Sequence, residues 1–151
     1  MTSAWVGSDG MNFTRVALAA LAAWVAFVVV GSFVHSAMLD GLYPRRPGLG
    51  PGTVGQSIGF AVALLGFLAF SYTYAKGYEG GHGPVEGMRF GVLVALMLVS
   101  FAVVWAYVVV PIPPPHAAAL ALHYVVEFTA YGMIVGAIYK PTRRRSGRSV
   151  T

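Results

Sequence analysis

Four long apolar runs constrain the fold of this chain more than any other feature. The first, 16–39, contains no Asp, Glu, Lys or Arg, and as a helix it extends about 36 Å. Because hydrocarbon offers no hydrogen-bond partners, apolar runs longer than about 18 residues cross membranes as helices. The sequence therefore predicts an all-α protein with membrane-spanning helices at about 14–38, 54–75, 88–110 and 116–139.

Turn-forming residues separate these runs. Prolines and glycines dominate 43–52, glycines dominate 77–83, and prolines dominate 111–115. Short connections of this kind join antiparallel neighbours, which predicts a four-helix bundle with up-down topology. The runs leave no length for a separate globular domain, so we expect one membrane domain, 1–151, that ends in a basic tail at 140–151.

The distribution of positive charge predicts the orientation of the bundle. Eight of the ten Lys and Arg residues lie on the side that holds both termini and the 76–89 connection, whereas Arg45 and Arg46 lie on the other side. The positive-inside rule therefore predicts a multi-pass protein of a bacterial inner membrane with both termini in the cytoplasm. The net charge of +5 does not indicate a nucleic-acid partner, because half of the basic residues follow the last apolar run.

The basic tail contains four arginines, Arg143, Arg144, Arg145 and Arg148. Their simplest role is to anchor the topology, and the alternative is binding to anionic lipid head groups. Membrane lipids are the first expected partners in either case.

Small residues predict how the helices associate. In lipid, helices are held together by close packing and polar contacts, because apolar side chains gain little by leaving hydrocarbon for one another. The second, third and fourth runs each carry two glycines spaced four apart, on one helix face: Gly55 and Gly59, Gly87 and Gly91, and Gly132 and Gly136. We expect these strips to form helix interfaces, within the bundle or toward another subunit.

Glu127 is the only acidic residue inside a predicted span, close to the middle of the fourth. Placing a charged residue at that depth costs about 2.5–3.5 kcal/mol, so Glu127 should face protein and have a partner. His123 lies one turn away on the same helix face. Counting along the helices places Ser100 and Ser32 at similar depths and His35 about one turn further out, which predicts a polar cluster inside the membrane.

This cluster has two interpretations. In the first, Glu127 titrates and His123 tunes it, which gives a proton-handling or ligand-binding site. In the second, a protonated Glu127 joins helices through a hydrogen bond to His123 or to a serine. The sequence alone favours the second interpretation, because one acid and one histidine form no recognisable catalytic set. We therefore predict no catalytic residues and no enzyme activity.

No cofactor and no metal site are predicted. Histidines in two membrane helices can hold haem b between them, here His35 and His123, but their difference in depth argues against this alternative. A metal site formed by His35, Asp40 and His116 is weaker still, because no short ligand spacing joins these residues.

The entry into the third run has the pattern acidic-Gly-x-Arg-Phe-Gly, within Gly83-Pro84-Val85-Glu86-Gly87-Met88-Arg89-Phe90-Gly91. The first run continues through Gly31-Ser32-Phe33-Val34-His35 toward Asp40. Both features resemble a group of small bacterial four-helix membrane proteins of unknown function. The resemblance implies the four-span plan, and it implies no activity because the group has none assigned.

Among functions, the sequence favours a non-catalytic accessory, structural or assembly subunit of a larger bacterial membrane complex, respiratory or photosynthetic. Minimal loops and glycine strips are typical of a protein held among other subunits, which would then be its partners. The first alternative is a proton-coupled transporter or channel subunit that uses Glu127 and His123. The second alternative is a haem- or ligand-binding membrane protein.

Overall fold

The structure is a computed structural model that describes residues 10–37, 52–110 and 112–141. Every element in these ranges is helical, which confirms the predicted all-α class. In chain order the elements are α1 (Phe13–Ala26), a first π-helical segment (Phe27–Gly31), α2 (Ser32–Ala37), α3 (Gly52–Lys76), α4 (Gly83–Leu98), a second π-helical segment (Val99–Val104), α5 (Trp105–Val109) and α6 (Pro114–Ile138).

Four stretches of helix are long and apolar enough to cross a membrane, as the sequence predicts. They are span one (Phe13–Val34), span two (Val54–Lys76), span three (Gly83–Val109) and span four (Pro114–Ile138). Spans one and three each contain a π-helical segment between two stretches of α-helix. The tail arginines Arg143, Arg144, Arg145 and Arg148 lie outside the described residues.

Local sequence signals fix where three of these spans begin. The Asn12 side chain caps span one, because its Oδ1 accepts a hydrogen bond from the Arg15 N–H at 3.1 Å. Pro84 and Pro114 lie in the first turns of spans three and four, where the backbone N–H has no partner within the helix.

Spans three and four are joined by direct backbone contact between glycines. A Cβ added at Gly87 would overlap the carbonyl oxygen of Gly132 and lie 3.0 Å from the Cα of Gly136. Conversely, a Cβ added at Gly132 would overlap the carbonyl oxygen of Gly87 and lie 3.0 Å from the Cα of Gly91. Each glycine Cα–H therefore points at a carbonyl of the other helix, a weak hydrogen bond that the absence of a side chain permits.

This glycine row, defined as Gly83, Gly87 and Gly91 facing Gly132 and Gly136, is longer than the predicted pairs. Gly83 meets the Gly136 carbonyl, Gly91 meets the Phe128 carbonyl, and Ala95 continues the row with no exposed surface. Residues with higher numbers on span three contact residues with lower numbers on span four. The two spans are therefore antiparallel, in a register set by small residues at every fourth position.

The predicted strip on span two has a different position. Gly59 is exposed, and a Cβ added there would meet nothing within 4 Å. Gly55, one turn earlier, is partly exposed. Gly59 therefore forms no helix interface with the described part of the chain.

Buried polar groups and alanines join spans one and two. Ser71 has no exposed surface, and its Oγ donates a hydrogen bond to the Val16 carbonyl oxygen at 2.9 Å. Trp24 Nε1 donates to the Phe60 carbonyl oxygen, also at 2.9 Å. The face of span one between these bonds is lined by three fully buried alanines, Ala19, Ala20 and Ala23. Small side chains thus allow the two backbones to approach, and polar contacts fix their register.

Span one packs against spans two and four, and span four packs against spans one and three. Spans two and three meet through aromatic rings near their connection, where the centroids of Phe70 and Phe90 are 4.8 Å apart. We call this end of the bundle, where span two ends and span three begins, the Gly83 end. The opposite end, where span four begins, is the Pro113 end.

A closed ring of aromatic side chains fills the interior on the Gly83 side of the bundle centre. Each ring lies 5.1–6.5 Å from the next, and the side chains come from spans one, two and four. This aromatic layer consists of Phe27, Phe67, Phe70, Phe128 and Tyr131. Most of the fully buried apolar residues of the bundle lie in it or between it and the Gly83 end.

The Glu86 carboxylate holds the connection between spans two and three in a defined conformation. It accepts hydrogen bonds from the Glu79 N–H at 2.6 Å and from the Gly81 N–H at 2.9 Å. Gly80, between them, has φ +86°, a backbone conformation that favours glycine. The Tyr74 hydroxyl closes the connection by donating to the Gly83 carbonyl oxygen at 3.2 Å.

Two alanine substitutions distinguish a glycine that packs from one that does not. Gly87→Ala places a methyl group against the Gly132 carbonyl, so spans three and four must separate, and we expect the free energy of unfolding to fall by about 1–3 kcal/mol. Gly59→Ala meets open space and should cause no loss. Unfolding in mild detergent followed by circular dichroism measures both, and equal losses would contradict the assigned interface.

Candidate functional site

Glu127 lies near the middle of span four with 8% of its surface exposed, and it is the one buried carboxyl group among the described residues. It belongs to a stripe of side chains that repeats every four residues and is largely buried: His123, Glu127, Tyr131, Val135 and Tyr139. This stripe faces span one, whereas the glycines of the same helix, about 100° further round the axis, face span three.

His123 and Glu127 form the centre of the candidate site. The distance from His123 Nε2 to Glu127 Oε2 is 3.3 Å, and each side chain is 9% exposed. The two residues are one turn apart on one helix, so the helix itself sets their spacing. An acid and an imidazole at this distance can share a proton.

Tyr131 lies one turn from Glu127 in the opposite direction. Its hydroxyl is buried beside the Glu127 carboxyl, and its ring belongs to the aromatic layer. The carboxyl therefore has an imidazole on its Pro113 side and a phenol on its Gly83 side. The four-residue spacing that joins His123 to Glu127 also reaches Tyr131, which was not predicted as a site residue.

The backbone of Gly31 brings span one close to the carboxyl. A Cβ added at Gly31 would lie 3.6 Å from Glu127 Oε1, so the missing side chain leaves room for the acid. Gly31 is the last residue of the first π-helical segment, a type of turn that is frequent at functional sites. Sequence reasoning missed it as a site residue, although a glycine that interrupts the valine run 28–30 was a visible signal.

Span three carries its own π-helical segment against the Pro113 half of span four. Its Val103 is buried, with 6% of its surface exposed. Beside this segment the two helices leave a cleft of about 300 Å³. The cleft is lined by Val99, Val103 and Tyr107 of span three and by Ala117, Ala118 and Ala121 of span four. The tight contact of the glycine row thus gives way to a gap toward the Pro113 end.

The structure brings together only part of the predicted polar cluster. Glu127 and His123 are in contact, whereas Ser32 and Ser100 are exposed and do not join them. Ser32 follows the first π-helical segment and Ser100 lies within the second. At about 100° per residue, a regular helix already turns Ser32 about 160° away from Val16 and Ser100 about 140° away from Gly87. Counting depth along the helices could not show that both would face outward.

The haem alternative, with His35 and His123 as ligands, is not tested, because the side chain of His35 lies outside the described residues. Asp40, a candidate in the weaker metal site, lies outside them as well. Within the part of the chain that the structure describes, no three His, Cys, Asp or Glu side chains gather closely enough to hold a metal ion.

No family model, no curated protein and no solved structure matches the chain. The fold and the site themselves define its class. The part of the chain that the structure describes is α-helical, with four candidate membrane spans and a buried carboxyl–imidazole pair in the last of them.

Substitutions at Gly31 test whether its backbone borders the carboxyl. Gly31→Ala should be tolerated, since its Cβ makes an ordinary contact 3.6 Å from Glu127 Oε1. Gly31→Leu must displace the carboxyl or separate spans one and four, and we expect a loss of about 1–3 kcal/mol in the free energy of unfolding. Gly66→Leu is the matched control, because nothing lies within 4 Å of its added Cβ. Equal stability of both leucine variants in detergent would contradict the contact.

Proposed function

We propose that this protein handles protons inside the membrane, as a proton-coupled transporter or channel subunit in which Glu127 and His123 exchange a proton. The observation that carries the proposal is the 3.3 Å contact between these two buried side chains in the middle of an apolar span. An ionisable residue at such a depth is costly to keep.

The charge balance of the pair favours proton exchange. A neutral carboxyl beside a neutral imidazole and a carboxylate beside an imidazolium have the same net charge of zero. The proton can therefore move between Glu127 and His123 without placing a net charge in hydrocarbon. Gain or loss of a further proton leaves a net charge, which the membrane interior disfavours. An ion or substrate that supplies the balancing charge would thus be coupled to the proton.

The surroundings of Glu127 support a site centred on these two residues. Span four adds the Tyr131 hydroxyl, and span one contributes the backbone of Gly31. The charged side chains of the first three spans, within the described residues, all lie near the Gly83 end: Arg15, Lys76, Glu86 and Arg89.

The orientation that we propose follows from the basic residues. In an up-down bundle with both termini in the cytoplasm of a bacterial cell, the Gly83 end is cytoplasmic and the Pro113 end faces outward across the inner membrane. His123 then lies on the outward side of Glu127, and the aromatic layer lies on its cytoplasmic side.

A flux measurement with a matched pair of variants tests the proposal. Purified protein in liposomes should carry protons down a pH gradient, and Glu127→Gln should reduce the flux to that of empty liposomes, because it keeps the side-chain shape but cannot titrate. Glu79→Gln removes an exposed carboxyl from the connection between spans two and three and should leave the flux unchanged. Normal flux through Glu127→Gln would end the proposal.

A second candidate is a non-catalytic accessory or assembly subunit of a larger membrane complex. The open glycines of span two favour it: a Cβ added at Gly59 or Gly66 would meet nothing within 4 Å, although glycine weakens a helix by about 1 kcal/mol relative to alanine. A helix of another subunit on this face would explain them. Native mass spectrometry after purification in mild detergent tests this role, and isolation as a monomer would count against it.

A further inference from the structure

The interior of the bundle differs sharply on the two sides of Glu127. Toward the Gly83 end, the next feature is the aromatic layer, whose neighbouring rings are 5.1–6.5 Å apart. Behind it, Ala20, Ala23 and Val135 have no exposed surface. Close-packed apolar groups of this kind exclude water.

Among the residues that the structure describes, packing is looser toward the Pro113 end. His123 is the first residue of the stripe on this side, so the imidazole stands between the carboxyl and the outside. The second π-helical segment and the cleft of about 300 Å³ lie in this half. The first π-helical segment ends at Gly31, whose backbone borders the Glu127 carboxyl.

The length of the path from Glu127 to each end of the bundle does not determine which side exchanges protons with the pair. Glu127 is 13 residues from the start of span four and 11 from its end, or about 20 Å and about 17 Å along the helix. The Gly83 end is thus slightly nearer. The difference in packing, and not the length of the path, must determine where the pair exchanges its proton.

We infer that the Glu127–His123 pair exchanges protons with the Pro113 side of the membrane only, through His123, and that the aromatic layer closes it to the Gly83 side. The inference rests on the proposed function and adds a direction to it. For transport across the membrane, a conformational change must then open the aromatic layer, so that the pair can exchange its proton with the Gly83 side.

A carbodiimide experiment measures this direction. Dicyclohexylcarbodiimide crosses lipid and reacts with protonated carboxyl groups in apolar surroundings. In liposomes with the inner and outer pH set independently, the rate at which it modifies Glu127 should follow the pH on the Pro113 side. Above the titration point of the pair, this rate should change about tenfold per pH unit. It should not respond to pH on the Gly83 side.

Two controls establish the orientation of the protein in the liposomes and the identity of the modified residue. The chain contains no cysteine, so single cysteines from Arg45→Cys and Arg145→Cys report the orientation of the protein in the liposomes when labelled with an impermeant maleimide. Glu127→Gln must lose the modified peptide of span four in mass spectrometry, which assigns the reaction to this residue.

Opening the aromatic layer should remove the asymmetry. Phe67→Ala deletes a ring that contacts both Phe27 and Tyr131, and modification of Glu127 should then respond to pH on both sides. Phe67→Leu is the smaller change if the alanine variant does not fold. Phe101→Ala removes a ring that is 70% exposed on span three and should leave the sidedness unchanged.

The possible outcomes distinguish the direction of proton exchange, the role of the aromatic layer and the proposed function. If modification in the unchanged protein follows pH on the Gly83 side, or on both sides equally, the inferred direction is wrong and the proton pair stands. If Phe67→Ala and Phe67→Leu fold and still respond to one side alone, the aromatic layer is not the closure. If modification of Glu127 does not depend on pH at all, the proposed function itself is contradicted.

Discussion

The contact between the backbones of spans three and four determines how the rest of the bundle is arranged. Where Gly87 and Gly132 meet, the helices are so close that neither can carry a Cβ. This contact fixes the rotation of span four about its own axis, because only one face of the helix is narrow enough to fit. The next row of side chains, about 100° away, is the stripe that contains Glu127, so the glycines indirectly aim the acid at span one.

The groups around Glu127 explain its position along span four. Glu127 lies at the border between the aromatic layer and the looser half of the bundle, with Tyr131 in the layer and His123 outside it. One turn further toward the Gly83 end, a carboxyl would have only rings around it. One turn further toward the Pro113 end, it would leave the backbone of Gly31. The site is therefore placed where burial and polar contact are both available.

The sequence predicted the parts of this arrangement that depend on composition and helical period. Length and hydropathy were sufficient for four spans, and the four-residue spacing was sufficient to bring Glu127 to His123. The same spacing could not show that Gly87 would meet another span while Gly59 would not, since a pattern on one helix carries no information about its neighbours. Ser32 and Ser100 were predicted by depth alone, and depth does not show which face of its helix a residue occupies.

Polar contacts in this bundle are of two kinds, and the difference bears on what Glu127 does. The Ser71 hydroxyl donates to the Val16 carbonyl across two spans, which is how a buried polar group joins helices in lipid. Glu127 lies between His123 and Tyr131, one turn away on either side along its own helix, and it also borders the Gly31 backbone of span one. Span four thus aligns an acid, a base and a phenol along its axis, and the closely packed aromatic layer begins at the phenol.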